Sequence, residues 1–203
     1  MIYKLFYAPD SAALGPRVLL EEIGVEYELI DTTIEQGKPR DPDHLALNPN
    51  GWVPVLTWEG GSMYEASAIA IYLTDLYPQA QLGPAPSDPE RAVFLQTLVY
   101  FSNTVQTAFQ QHYYPHRFAA DAVDAKGRAA NRLRAVWQIV DDQLAGRDWV
   151  VGNRFSAADV HLLMLSTWFE PEAGHPTVAD FPNVARVAAE VAKRPSVIKV
   201  FDL

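Results

Sequence analysis

The stretch Asn48-Pro49-Asn50-Gly51-Trp52-Val53-Pro54-Val55-Leu56 sets a proline at the entrance to an apolar, β-branched run. Lacking an N–H, proline in a strand is confined to an edge or a bulge. Two geometries resolve the conflict. A trans proline in a tight edge turn leaves the segment structural. A cis Val53–Pro54 bond turns the Val53 N–H and C=O toward solvent, where an extended peptide can pair with them as an added strand. Within one hairpin of that proline, Tyr64-Glu65-Ala66-Ser67 sets an acid and a hydroxyl where a strand becomes a helix. Helix N-termini bind anions through backbone N–H groups, so Ala66 and Ser67 can hold a carboxylate while Glu65 meets an ammonium. A zwitterionic amino-acid head fits both. Ordinary capping by Glu65 or Ser67 is the other use of the same residues.

The remaining reactive residue types narrow the chemistry. There is no cysteine, which excludes disulfide scaffolds, thiolate metal sites and a catalytic thiol of the chain's own. Any sulfur chemistry must arrive with a ligand. The five histidines show no metal-ligand spacing and no glycine-rich phosphate loop occurs, so neither metal nor nucleotide is implied. His112 and His116, beside Tyr113 and Tyr114, suit either a cleft wall or a helix end whose dipole they complement. Lys38 and Arg40 are either solvated loop bases or charges for a ligand carboxylate.

These residues require particular elements. Ile2 to Tyr7 reads as a strand stopped by Ala8, Pro9 and Asp10, and Leu14, Val18, Leu19 and Ile23 mark a helix ending at Gly24. Tyr27 to Asp31 is a second strand and 32–42 a polar loop. Val53 to Trp58 and Ser62 to Tyr64 form a hairpin across Glu59-Gly60-Gly61, followed by a buried helix over 66–76. The order is βαβ, a loose or helical link, then ββα, an α/β domain over residues 1–80 with a mixed sheet. Four prolines in 77–89 place a linker at 81–89. From 90 to 203 the patterns are helical throughout, with Phe94, Leu98, Phe101, Val105 and Ala108 on one face of a long first helix over 90–114.

The chain has 203 residues and is 49% hydrophobic, with 16 Lys and Arg against 25 Asp and Glu, a formal charge of −9. Such a balance repels phosphate backbones and anionic lipid heads, which argues against nucleic-acid and membrane partners. No segment approaches the ~18 consecutive apolar residues of a spanning helix, and a soluble cytoplasmic protein is expected.

Together, the Val53–Pro54 and Glu65 motifs, the βαβ-ββα order and the appended helices resemble the cytosolic glutathione transferase family, bacterial type, whose first domain is thioredoxin-like. The resemblance extends over essentially the whole chain. Gly152-Asn153-Arg154-Phe155-Ser156-Ala157-Ala158-Asp159 is similar to the family's capping box, a folding element in which Ser156 and Asp159 satisfy each other's backbone donors. The resemblance implies that glutathione pairs with Val53 beside Pro54, that Glu65, Ala66 and Ser67 hold its γ-glutamyl head, and that Trp52 covers it, with Lys38 or Arg40 meeting the glycyl carboxylate. The family activates the glutathione thiol with a hydroxyl or thiol at the start of the first helix. Aligning on Arg17-Val18 puts Ala12 and Ala13 there, leaving three options: Ser11, Tyr7 at the strand end, or no side chain. The position of the bacterial class's histidine is taken by Gln106, and Gln106, His112 and Tyr113 are expected to line the acceptor side. The implied activity is thiolate attack on a small hydrophobic electrophile by a homodimer. Glutathione-dependent disulfide or peroxide reduction, and a non-catalytic binding or interaction module, are the alternatives.

Overall fold

A computed structural model describes residues 2–35 and 37–203. Strands β1 (Tyr3–Tyr7), β2 (Tyr27–Asp31), β3 (Val55–Trp58) and β4 (Gly61–Tyr64) form one mixed sheet in the order β2-β1-β3-β4. β1 is parallel to β2 and antiparallel to β3, and β3 is antiparallel to β4. The parallel pair requires a crossover, supplied by α1 (Leu14–Ile23). Helix α1 buries Leu14, Val18, Leu19 and Leu20 and stops at Gly24, whose φ of 75° lets its N–H turn back to the carbonyls of Leu20 and Glu21. Within the segment linking β2 to β3, 42–47 folds as a short helix, α2 (Pro42–Leu47), because Asp41 caps it by accepting the Asp43 N–H at 2.8 Å. Helix α3 (Ala66–Leu76) follows the hairpin. Tyr72 stacks on Trp58 at 5.0 Å, and the Tyr77 hydroxyl beyond α3 meets that of Tyr3 at 2.9 Å.

Two compact units divide the chain, Met1–Asp88 with Arg194–Leu203, and Pro89–Lys193. The last ten residues, helical as the pattern from 90 onward requires, therefore belong with the sheet. Packing and charge both hold them there, for Val197 and Val200 of the last helix are buried. Arg194 grips Glu22 of α1 with Nε and Nη2, each at 2.7 Å, Ser196 donates to the same carboxylate, and Lys199 of α9 (Pro195–Phe201) reaches Glu21 at 2.8 Å. Burial works to raise both carboxyls, yet these bonds outweigh it and hold Glu21 and Glu22 below the usual carboxylate range.

The second unit contains α4 (Arg91–Tyr100), a π turn over Phe101–Val105, α5 (Gln106–Tyr113), α6 (Ala122–Gln143), α7 (Ala157–Ser166) and α8 (Pro182–Val191). The helix expected over 90–114 is thus continuous apart from the π turn, a one-residue insertion into the ladder. Its stripe of Phe94, Leu98, Phe101, Val105 and Ala108 is buried as expected, with Phe109 and Trp137 extending the core. At the start of α7, Asp159 accepts from the N–H groups of Val150 and Ser156 at 2.8 Å and from the Ser156 hydroxyl at 2.9 Å. Asp141 of α6 does the same for α8, accepting from the N–H groups of Asn183 and Val184 at 2.7 and 2.9 Å.

Candidate functional site

Every backbone carbonyl from Gly51 to Trp52 is already bonded within the first unit. Gly51 O accepts from Arg40 Nε at 2.9 Å, and Trp52 O accepts from Asn48 Nδ2 at 2.8 Å and lies 3.1 Å from His44 Nε2. The Gly51 N–H closes the Asn48 turn at 2.8 Å. Desolvation lowers the His44 pKa, so the ring is the neutral tautomer with its proton on Nε2, donating to Trp52. One residue later the bonding stops. Val53 precedes a cis bond to Pro54, and among the described residues neither its N–H nor its carbonyl has a hydrogen-bond partner. An extended chain can therefore pair with Val53 without displacing anything.

The register pairs Val55 with Tyr64, which brings Glu65 across from Pro54. Glu65 is an exposed non-glycine residue at φ 76°, ψ 112°, a conformation that costs on the order of 1–3 kcal/mol and clusters at ligand clamps. Its side chain makes no capping bond to α3, while its carbonyl accepts the first helical bond from Ile69 at 2.9 Å. The capping use of Glu65 is thereby set aside. What remains is a carboxylate held beside a helix N-terminus, next to the bare Val53 backbone.

The amino end of α1 closes the third side. Ala8, Ala13 and Val53 pack together with Phe6, Tyr7 and Ile34 against them. Ser11 is buried, and its hydroxyl donates to the Ala8 carbonyl at 2.6 Å while accepting the Ala13 N–H at 3.3 Å. It closes the turn into α1. Tyr7 is half-buried, with the Arg17 guanidinium 5.4 Å over its ring. Trp52 lies under the Arg40 guanidinium at 5.5 Å, and Lys38 is exposed and paired with Glu35 at 2.7 Å.

The other candidates lie in the second unit. Gln106 is half-buried as the first residue of α5. His112 is 3% exposed, edge-on to His175 with ring centres 4.0 Å apart. Desolvation pushes both imidazoles down, keeping them neutral. The Tyr113 hydroxyl donates to the Trp168 carbonyl at 2.7 Å. His112 and Tyr113 are thus tied into the aromatic interior of their own unit. Among the described residues no cluster of His, Asp or Glu could hold a metal ion, and no helix is long and apolar enough to cross a membrane.

Arg40, expected as a solvated loop base or a charge for a ligand carboxylate, bonds main-chain carbonyls instead, and His44 and Asn48 are supports that residue-type reasoning did not assign. Asn48 belongs to an Asn-Pro-Asn-Gly turn, a usable signal. His44 carries none, since its bond goes to a main-chain carbonyl.

A thioredoxin-like sheet ending in a bare, proline-flanked backbone and an acidic helix corner, with a helical unit following, defines a glutathione transferase architecture. The model of the glutathione S-transferase N-terminal domain matches residues 1–75, and that of the C-terminal domain residues 105–195. A sphingomonad glutathione S-transferase solved in complex with glutathione is 31% identical, with a TM-score of 0.85 over 98% of this chain and 97% of that one. A glutathione transferase homologue from Sulfitobacter, solved with bound glutathione, is 25% identical with a TM-score of 0.87, covering 99% and 97%. Glutathione S-transferase GstA of Escherichia coli O157:H7 is 26% identical over 196 residues, 96% of this chain and 94% of that protein. The chain belongs to the glutathione S-transferase family.

Proposed function

We propose that the protein is a glutathione transferase that binds glutathione extended along Val53 and directs its thiolate at a small hydrophobic electrophile. The observation that carries this reading is the unpartnered Val53 backbone opposite the uncapped Glu65 corner. The cysteinyl backbone of the tripeptide pairs with Val53. Its γ-glutamyl ammonium meets Glu65, and its α-carboxylate faces the start of α3 at Ala66 and Ser67. Pro54 holds the turn that leaves the Val53 backbone unpaired, and Trp52 with Lys38 borders the far end. Bound solute structures of two relatives named above, both with glutathione, support the ligand.

The sulfur then lies by the amino end of α1, where the helix dipole favours thiolate. A free thiol with pKa ~8.5 is only a few per cent ionised at pH 7, so this stabilisation matters, and once thiolate has formed no general base is needed. Ser11 has committed its proton to Ala8, which favours backbone stabilisation over a hydroxyl donor, with Tyr7 at the end of β1 as the other hydroxyl candidate. Gln106, His112 and Tyr113 enter as residues of the unit expected to shape the acceptor side. The proposal extends to a homodimer, for which the exposed Val93 and Val99 of α4 offer apolar contact, and to a cytoplasmic location.

The test combines calorimetric binding of glutathione, conjugation of a chloronitrobenzene and reduction of a mixed disulfide on one sample. Conjugation with Ser11→Ala retaining at least half of the wild-type kcat is the expected result. A drop of about a hundredfold would make Ser11 the thiol activator instead. The lack of cysteine permits a second reading, in which glutathione supplies both sulfurs of a disulfide exchange and no mixed disulfide with the protein forms. Reduction without conjugation would select it.

A further inference from the structure

Arg40 spends its guanidinium on the main chain. Nε donates to Gly51 O at 2.9 Å, Nη1 to Glu35 O at 2.9 Å and to Lys38 O at 3.2 Å, and Nη2 to Ile34 O at 2.8 Å. A guanidinium carries five N–H donors in a fixed plane, so four of its directions are taken by carbonyls from two separate segments. A bidentate grip on a ligand carboxylate needs two parallel donors, and too few remain. The same group lies 5.5 Å over the Trp52 ring. Gly51 is fitted to this arrangement. At φ +65°, a Cβ there would come within 2.8 Å of Arg40 Cγ and 3.2 Å of Leu45 Cδ2.

We propose that Arg40 is a positioning residue for the glycyl end of bound glutathione: it fixes the main chain at Ile34, Glu35 and Lys38 and the Trp52 ring in place without itself contacting the ligand. The proposal rests on the glutathione reading above. The register that sets Glu65 across from Pro54 gives the tripeptide its direction. With the γ-glutamyl head at Glu65 and the cysteinyl residue on Val53, the chain runs on past Trp52, and the glycyl residue meets the wall that Arg40 assembles. An Arg is required because only a planar fork serves carbonyls on both segments together. A lysine has the charge but not the fork.

Each side chain that must be ordered on binding weakens affinity several-fold, so releasing Trp52 and that main chain should weaken glutathione binding by about tenfold. The experiment is calorimetric titration of wild type, Arg40→Met and Arg40→Lys with glutathione and, separately, with γ-glutamylcysteine, which lacks the glycine. Both variants are expected to bind glutathione about tenfold more weakly and γ-glutamylcysteine within twofold of wild type. Gly51→Ala, which drives a methyl group into Arg40, should reproduce that pattern. Circular dichroism melts check folding, and Arg40→Lys carries the comparison if Arg40→Met does not fold. Unchanged glutathione affinity in both variants, equal loss for both ligands, or full rescue by lysine would each overturn the positioning role. Wild type binding neither ligand would instead sink the glutathione reading itself.

Discussion

Acid should destabilise the second unit through His161, and the size of the effect follows from its burial. His161 lies in α7, every residue of which is buried. It stacks on Phe101 at 5.8 Å and 20°, and among the described residues its Nε2 has no hydrogen-bond partner. Desolvation alone pushes its pKa from 6.5 down to about 4. The unfolded chain takes up a proton near pH 6.5 and the folded chain not until about 4, so the stability associated with the neutral ring is fully present above 6.5. It is lost as pH falls through that window. At about 1.36 kcal/mol per pH unit, the loss approaches about 3 kcal/mol. Asp159, two residues earlier, works in the opposite direction. Burial pushes its carboxyl up to about 6 against the bonds it accepts, so its contribution falls as pH rises from about 4 to 6. The absolute stability curve therefore mixes opposing slopes, and the informative quantity is a difference. Urea unfolding of wild type and His161→Leu at pH 7.5, 6.5, 5.5 and 4.5 should show the variant gaining on wild type by about 2.5 kcal/mol between the extremes. A gap constant to within about 0.5 kcal/mol across the series would mean that the ring takes up its proton at the same pH in the folded as in the unfolded chain, and the burial reasoning would be wrong.

Glu65→Gln removes the charge but keeps the shape. It should weaken glutathione by ten- to a hundredfold, the range of ~1.5–3 kcal/mol for a charge-assisted bond, and leave the melting temperature unchanged because Glu65 caps nothing. Isothermal titration in low and high salt reads the loss, which should shrink as salt rises. Glu22→Ala leaves Arg194 and Ser196 without their shared acceptor and should cost about 2 kcal/mol. Hydrogen exchange should show protection lost first over 195–201, with α6 and α7 unaffected.

Much of the fold was legible because its signals are local. The run of strand residues from Tyr27, the apolar helix over 66–76 and the Ser156 and Asp159 spacing each lie within a dozen positions, and periodicity or capping chemistry reads them directly. The choice at Val53–Pro54 was also visible, since a proline at a strand entrance admits two geometries and the structure takes the cis one. What escaped depends on distant partners or on carbonyls. Nothing near Pro195 reveals that Arg194 will find Glu22 at a separation of 172 residues, or that Asp141 will cap a helix 42 residues later. Ser11 has the residue type of an activator, but whether its proton is free depends on where the Ala8 carbonyl points, and a carbonyl leaves no mark in a sequence.

The bonding around the cis proline explains why one residue stays bare. A backbone amide without partners is unfavourable when buried, and Val53 is 8% exposed, so relaxation of its neighbours would be expected to satisfy it. They cannot relax. Trp52 O is held from α2 and Asn48, Gly51 O from Arg40, and Val55 is locked into the ladder with Phe6 and Tyr64. Each support removes a motion by which the chain could turn Val53 inward, and the supports come from α2, Asn48, Arg40 and two strands, so no single loss frees it. The bare Val53 edge is therefore held in place by the bonds of its neighbours. Single substitutions at His44 or Asn48 should then leave glutathione affinity near that of wild type in calorimetric titration and only their combined loss should weaken it through Val53, whereas substitutions at Glu65 act on the ligand's charge directly.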